Sequence, residues 1–196
     1  MIPDKELKSK LKKLRSKKRQ LPEPTEIIIP EAGQQSAWDK KYFDRPPLVE
    51  NVKQNLSIKY YGTVIAHTNN ALCVKETASP PVYYFPPDSI DKPLLLTSTK
   101  KPNLCEWKGW AYYWHIIVNQ NKFENAVFSF LDPLEDEVVG SRFQQIKGYF
   151  AFYARKELDC FVGEELAKPQ PGCYYAGWVT DKYTGPFKGE PGSENW

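Results

Sequence analysis

"WAYYWHIIVNQNKFENAVFSF", residues 110–130, is the stretch whose reading decides the fold class. Rings and aliphatic side chains fill both its halves, while Asn119 to Lys122 interrupt it with four polar residues. It reads as two β-strands joined by a turn. With the first strand starting near Trp110, after a Lys108-Gly109 turn, a period of two sets Trp110, Tyr112, Trp114 and Ile116 on one face. Ala111, Tyr113, His115 and Ile117 fall on the other. One face must be core, because so many rings cannot all meet water.

Working outward, similar runs recur at short intervals. "LSIKYYGTVIAHT" reads as a hairpin turning at Gly62, and "ALCVKET" as a third short strand. "PPVYYFPPDSI" is a strand fragment between proline pairs, which suits a sheet edge or a crossover. "LEDEVVGSRFQQIKGYFAFY" opens with helical spacing at Leu134, Val138 and Val139 before the strand "YFAFYA", and "LDCFVGE" adds one more. The chain has 17 prolines and 11 glycines, so turns are many and long helices few. Its one Met and 14% aromatic residues mean that rings must supply much of the core. The fold expected is mainly β: a single compact antiparallel β domain, either a sandwich or an open barrel.

Charge divides the chain unevenly. Residues 1–19 hold nine Lys/Arg against Asp4 and Glu6, a balance of +7, so the whole-chain +3 leaves −4 for the rest. Leu7, Leu11 and Leu14 recur at helical spacing, and Pro22 and Pro24 stop any helix there. Residues 1–20 therefore read as a basic helical arm. It either meets nucleic acid, an anionic lipid surface or an acidic partner, or packs loosely on its own domain as a solvated helix. Residues 21–47 form a Pro-rich, extended lead-in containing "EIIIP", with Trp38, Tyr42 and Phe43 tacking it onto a β domain over 48–196.

Several classes are set aside. The longest uncharged stretch, Gly109 to Asn121, is roughly 13 residues and too polar for a transmembrane segment. No apolar run follows the basic N-terminus, and its acids count against a transit peptide, so a soluble cytoplasmic protein is expected. Cys73, Cys105, Cys160 and Cys173 form no CxxC pair and match no common zinc spacing; they read as free thiols, with no metal site. No dinucleotide, P-loop, zincin or Ser-His-Asp pattern is present, and no cofactor is indicated.

Four blocks, "ETASPPVYYFPPDSI", "CEWKGWAYYW", "GYFAFY" and "GWVTDKYTGPFKGEPG", together resemble the DUF427 family, and the closing block is similar to the longer form found in photosynthetic organisms. The resemblance covers about residue 48 to the C-terminus. It implies a compact, mostly β domain of the β-tent kind. The CxxC pairs of zinc-bearing β-tent relatives are absent here. The family also carries a nucleotidyltransferase-type label, but this chain lacks the Gly-Ser and paired-Asp pattern of enzymes of that name.

The candidate site centres on "CEWKG", residues 105–109. Lys108, before a glycine at the mouth of an aromatic strand, could meet an anionic group or, if desolvated, act as a base or Schiff-base amine. Cys105 could be a nucleophilic thiolate beside that cation, or simply a buried small hydrophobe. Glu76 could pair with Lys108 or Arg155, or serve as a general acid or base. Cys105, Lys108 and Glu76 are thus the catalytic candidates. Tyr83 and Tyr84 join Glu76 at a polar pocket edge, Trp178 adds a ring, and Tyr113 and Trp114 are the strand's contributions. Which face of residues 110–117 lines the pocket stays open, although Trp110, Tyr112, Trp114 and Ile116 make the better core. Asp88 reads as a turn or cap residue, and Lys188 as part of a C-terminal strap.

Three functions fit these residues. The first is a small-molecule-binding domain with an aromatic pocket near Lys108. The second is an enzyme using Cys105 and Lys108, directed at nucleotides if the family label is followed. The third is an interaction or nucleic-acid adaptor working through the basic arm.

Overall fold

A computed structural model of the protein describes residues 4–16, 28–172 and 174–193. The helix stop at Pro22 and Pro24, the start of the lead-in and Cys173 lie outside the described residues.

The elements run α1 (Asp4–Ser16), β1 (Gln35–Ser36), β2 (Leu48–Asn51), β3 (Leu56–Tyr60), β4 (Thr63–Thr68), β5 (Leu72–Lys75) and β6 (Val82–Phe85). They continue with β7 (Leu95–Thr97), β8 (Asn103–Cys105), β9 (Gly109–Val118), β10 (Asn121–Phe130), β11 (Phe150–Phe152) and β12 (Asp159–Val162). Four two-residue strands close the series: β13 (Glu165–Leu166), β14 (Lys168–Pro169), β15 (Trp178–Val179) and β16 (Tyr183–Thr184). The larger sheet has the order β2-β5-β6-β11-β10-β9-β7, with β8 pairing β9 as its eighth strand. A four-stranded sheet runs β13-β12-β3-β4, and every pairing in both sheets is antiparallel. The fold is mainly β, and neither sheet closes into a barrel.

Local chemistry sets the two long hairpins. Asn119 and Gln120, both at positive φ (46° and 69°), form the two-residue connection between β9 and β10. Asn accepts that left-handed backbone more readily than most residues, and the turn's twist matches the strands it joins. Tyr61 and Gly62 do the same for β3 and β4. A bulge between Phe123 and Val127 shifts the β9–β10 register, with Asn125 also at positive φ.

Alternation then divides the rings between the two faces of the larger sheet. Tyr83, Phe85, Ile116, Val127 and Phe152 pack toward Leu56, Ile58, Ile65 and Cys160 of the smaller sheet. Trp178 is wholly buried in this core, its indole N–H donating to the Phe152 carbonyl at 2.9 Å. On the other face Tyr84, Ala111, Tyr113, Phe128, Phe130 and Ala151 meet Phe143 and Ile146 of the short 3₁₀ turn Arg142–Ile146.

Two local expectations are corrected. β6 lies inside the larger sheet, between β5 and β11, and not at an edge. Its flanking prolines all fall outside Val82–Phe85, so no ladder hydrogen bond is lost. Leu134 to Val139 form no helix; an isolated bridge joins Asp136 to Gly140, because the Asp136 carboxylate accepts the Val138 and Val139 N–H groups and favours a turn.

The N-terminal residues are tied back to this frame. α1 buries Leu11 and sets the Arg15 guanidinium 5.3 Å from the Trp107 ring centroid, 2.8 Å from the Asp136 carboxylate and 2.8 Å from the Glu106 carbonyl. The described part of the arm, α1, thus packs on the chain's own β structure. Further on, Phe43 is fully buried and Trp38 donates to the Pro186 carbonyl at 2.8 Å. Buried Lys75 joins the segments: its ammonium lies 2.7 Å from Glu50 and within 5.8 Å of the Tyr42, Phe43 and Tyr183 ring centroids. No helix among the described residues is long and apolar enough to cross a membrane.

Candidate functional site

Cys105 pairs with Gly109 across β8 and β9, which leaves Glu106, Trp107 and Lys108 as a three-residue loop. Gly109 has φ +93°, and a Cβ there would approach the Leu134 nitrogen to 3.2 Å. Glycine is needed both for the left-handed backbone and for this close approach. The Leu134 N–H donates to the Lys108 carbonyl at 3.0 Å, so the 131–140 segment backs the loop. Lys108 is thereby directed over the second core face, its ammonium 5.9 Å from the Phe130 ring centroid and 6.0 Å from that of Phe143.

A cavity of about 230 Å³ opens there. Glu76, Tyr84, Cys105, Lys108, Tyr113 and Lys188 line it, together with Tyr153, Gln170, Tyr174, Tyr175 and the edges of Phe128 and Phe130. Glu76 follows β5, and Lys188 arrives from the C-terminal strap, where its N–H donates to the Ala78 carbonyl at 2.7 Å and its carbonyl accepts from Gln170 at 3.0 Å. Gly189 holds the strap close: a Cβ there would collide with the Pro171 carbonyl.

The charges are unevenly satisfied. Glu76 lies 3.5 Å from the ammonium of buried Lys188 and 3.9 Å from Arg45. Burial acts to raise its pKa, but Lys188, Lys108 and Arg45 outweigh this and hold it below the usual carboxylate value. Lys108 makes no ion pair or side-chain hydrogen bond among the described residues. Burial acts to lower its pKa, while Cys105, Tyr84, Glu76 and Glu106 act the other way and hold it above the ordinary lysine value. Lys108 is therefore a cation at neutral pH. Burial pushes the Cys105 thiol up against the pull of Lys108, and it pushes the Tyr84 phenol up as well, so both are neutral. Such a wall can bind an anion. It is poorly arranged for nucleophilic attack by sulfur or for a neutral amine acting as base.

Of the residues expected from sequence, Cys105, Lys108, Glu76, Tyr84 and Tyr113 converge on this one cavity. Tyr83, Trp114 and Trp178 do not. Tyr83 and Trp178 pack ring to ring at 5.1 Å in the core between the sheets, and Trp114 meets Phe150 edge-on at 5.1 Å against that same core. The reason is alternation: Tyr83 and Trp114 are each one residue out of phase with the cavity face. His115 is also spent internally, its Nδ1 accepting the Asn125 N–H at 3.0 Å at the bulge. Glu76 pairs with Lys188 and Arg45 rather than with Arg155. Among the described residues no three His, Cys, Asp or Glu side chains converge as a metal site would need.

Sequence reading did not assign Tyr153, Tyr174, Tyr175 and Gln170 to the site, and it left Lys188 in a strap without a partner. Tyr153 had a usable signal, since it follows β11 directly and sits next to Arg155 but one. The others arrive from turns whose course no periodicity reveals.

Fold and site together define a mainly β protein with an aromatic-walled, cation-bearing cavity on the outer face of its larger sheet. The family described as a domain of unknown function, DUF427, matches residues 48–163, and the chain belongs to that family. No curated protein matches the chain.

Proposed function

We propose that this protein is a small-molecule-binding domain whose cavity takes an anionic ligand at Lys108. One observation carries the reading: the Lys108 ammonium faces an aromatic cavity, and no carboxylate among the described residues is in contact with it. A partly buried charge is costly unless paired, so an anion entering the cavity gains an interaction that the protein itself does not supply. Of the two carboxylates that line the cavity, Glu76 and Glu106, the first is already shared between Lys188 and Arg45.

Size narrows the ligand. An apolar cavity of about 150 Å³ holds a benzene molecule. A space of about 230 Å³ accommodates one ring with a short acidic substituent. Tyr84, Tyr113 and Phe130 supply ring faces and edges for a flat group. An enzyme built on Cys105 is the weaker reading, because burial keeps that thiol neutral.

The test is a thermal-shift and calorimetric screen of small aromatic carboxylates and phosphate esters, with mass spectrometry of anything that co-purifies. Binding is expected to fall about 10- to 100-fold in Lys108→Ala, as for loss of a hydrogen bond to a charged group, and to persist in Cys105→Ser. Equal binding by Lys108→Ala, or no anion that shifts the melting temperature, would refute the proposal.

A further inference from the structure

A second cavity, of about 210 Å³, adjoins the first on the same side of the larger sheet, and Asn103, Tyr153 and Tyr174 line both. Tyr113 lines the first cavity, and its ring lies under Lys100 of the second. The second cavity also has a cationic wall, made by Lys100 and Arg155. The Lys100 ammonium lies 3.8 Å from the Tyr113 ring centroid and makes no ion pair among the described residues. Arg155 stands 5.1 Å over the Tyr153 ring and donates to the Gly172 carbonyl. The acid on this wall, Glu124, is engaged by Lys122 at 2.9 Å.

We infer that the two cavities form one two-lobed site for a flat dianion, a planar group carrying an acidic function at each end. Resting on the reading of Lys108 as an anion contact, this sets one acid at Lys108, the planar part along Tyr113 and Tyr153, and the second acid at Lys100 and Arg155. Each end of the site offers a cation, and the shared stretch between them offers rings and the Asn103 amide. A ligand with one acid fills only one lobe and leaves Lys100 unmatched. A ligand with two acids answers both cations without displacing the Glu76–Lys188 or Glu124–Lys122 contacts.

The experiment is calorimetry on the full chain at low ionic strength with benzoate and cinnamate as monoacids, and terephthalate and 4-carboxycinnamate as the matching diacids. The better-fitting diacid is expected to bind about ten-fold or more tightly than its monoacid, as one added charge-assisted contact supplies. Lys100→Gln with Arg155→Gln is expected to erase that advantage and leave monoacid affinity unchanged. Lys100 is exposed and Arg155 half-buried at the surface, and an unchanged melting temperature checks that the variant folds. Equal affinity for monoacid and diacid, or an advantage that survives the double substitution, overturns the two-lobed site while leaving Lys108 as an anion contact. Failure of both classes to bind overturns that contact as well.

Discussion

The ammonium of Lys188 lies 3.5 Å from Oε1 of Glu76, joining residues 112 positions apart across the wall of the cavity. Lys188 is 3% exposed and Glu76 about a quarter exposed, so this contact binds the C-terminal strap to β5 and fixes the cavity's only deep ion pair among the described residues. Glu76→Gln removes the carboxylate charge from beside the buried Lys188 ammonium. We expect a loss of about 1–3 kcal/mol by urea denaturation, as for replacing a charge-assisted hydrogen bond by a neutral one.

That pair also makes stability depend on pH in a defined direction. The Glu76 carboxyl titrates lower in the folded chain than its ordinary value of 4.5. Its contribution is therefore complete above that value and is lost as pH falls through the folded pKa. The melting temperature of the native protein should drop on acidification below about pH 4.5. Part of the drop should be missing in Glu76→Gln, so the gap between the two proteins narrows toward low pH. Asp136, held low by the Val139 and Val138 N–H groups and by Arg15 against its own burial, contributes a similar slope in both. A gap that widens with acid would contradict the assignment.

Residues on the two faces of the larger sheet should respond differently to substitution. Trp178 is fully buried between the sheets, and Trp178→Ala should cost about 3–5 kcal/mol, as emptying a large core site does. Tyr113→Phe removes only a hydroxyl at the junction of the cavities and should cost about 1 kcal/mol. Chemical denaturation of both variants measures the difference, and similar losses would mean that the Tyr113 hydroxyl does more than make one ordinary hydrogen bond.

Cys105 reports on the electrostatics of the 105–109 loop. Because burial raises its pKa in spite of Lys108, its alkylation by iodoacetamide at pH 7 should be slower than that of free cysteine. Lys108→Met should slow it further by removing a nearby cation that favours the thiolate. Peptide-resolved mass spectrometry follows Cys105 separately from buried Cys73 and Cys160. Alkylation faster than free cysteine would restore the case for a nucleophile.

Arg15 anchors α1 to that loop through Asp136, the Glu106 carbonyl and the face of Trp107. Arg15→Ala should weaken docking of the helix by about 1–3 kcal/mol. Hydrogen exchange should then speed up over residues 4–16, with β9 and β10 unchanged. Unaltered exchange in α1 would show that Leu11 and the Lys10–Trp110 contact hold the helix without Arg15.

The sequence by itself determined the longer strands and their hairpin turns, since these depend on neighbours in the chain. Period-two patterning separated Tyr113 from Trp114, and Asn119 with Gly62 marked where the long hairpins reverse. Lys108 and Gly109 stood out as a turn at the mouth of an aromatic strand. Tertiary structure alone decided the rest. Tyr83 and Tyr84 are equivalent in one dimension, yet the smaller sheet covers the first and a cavity borders the second. Lys188 carried no sequence sign of pairing with Glu76, because that contact depends on how a turn-rich strap folds back over β5. The physical reason is range: propensity and alternation act over a few residues, whereas a cavity is the space left between surfaces that meet from distant parts of the chain.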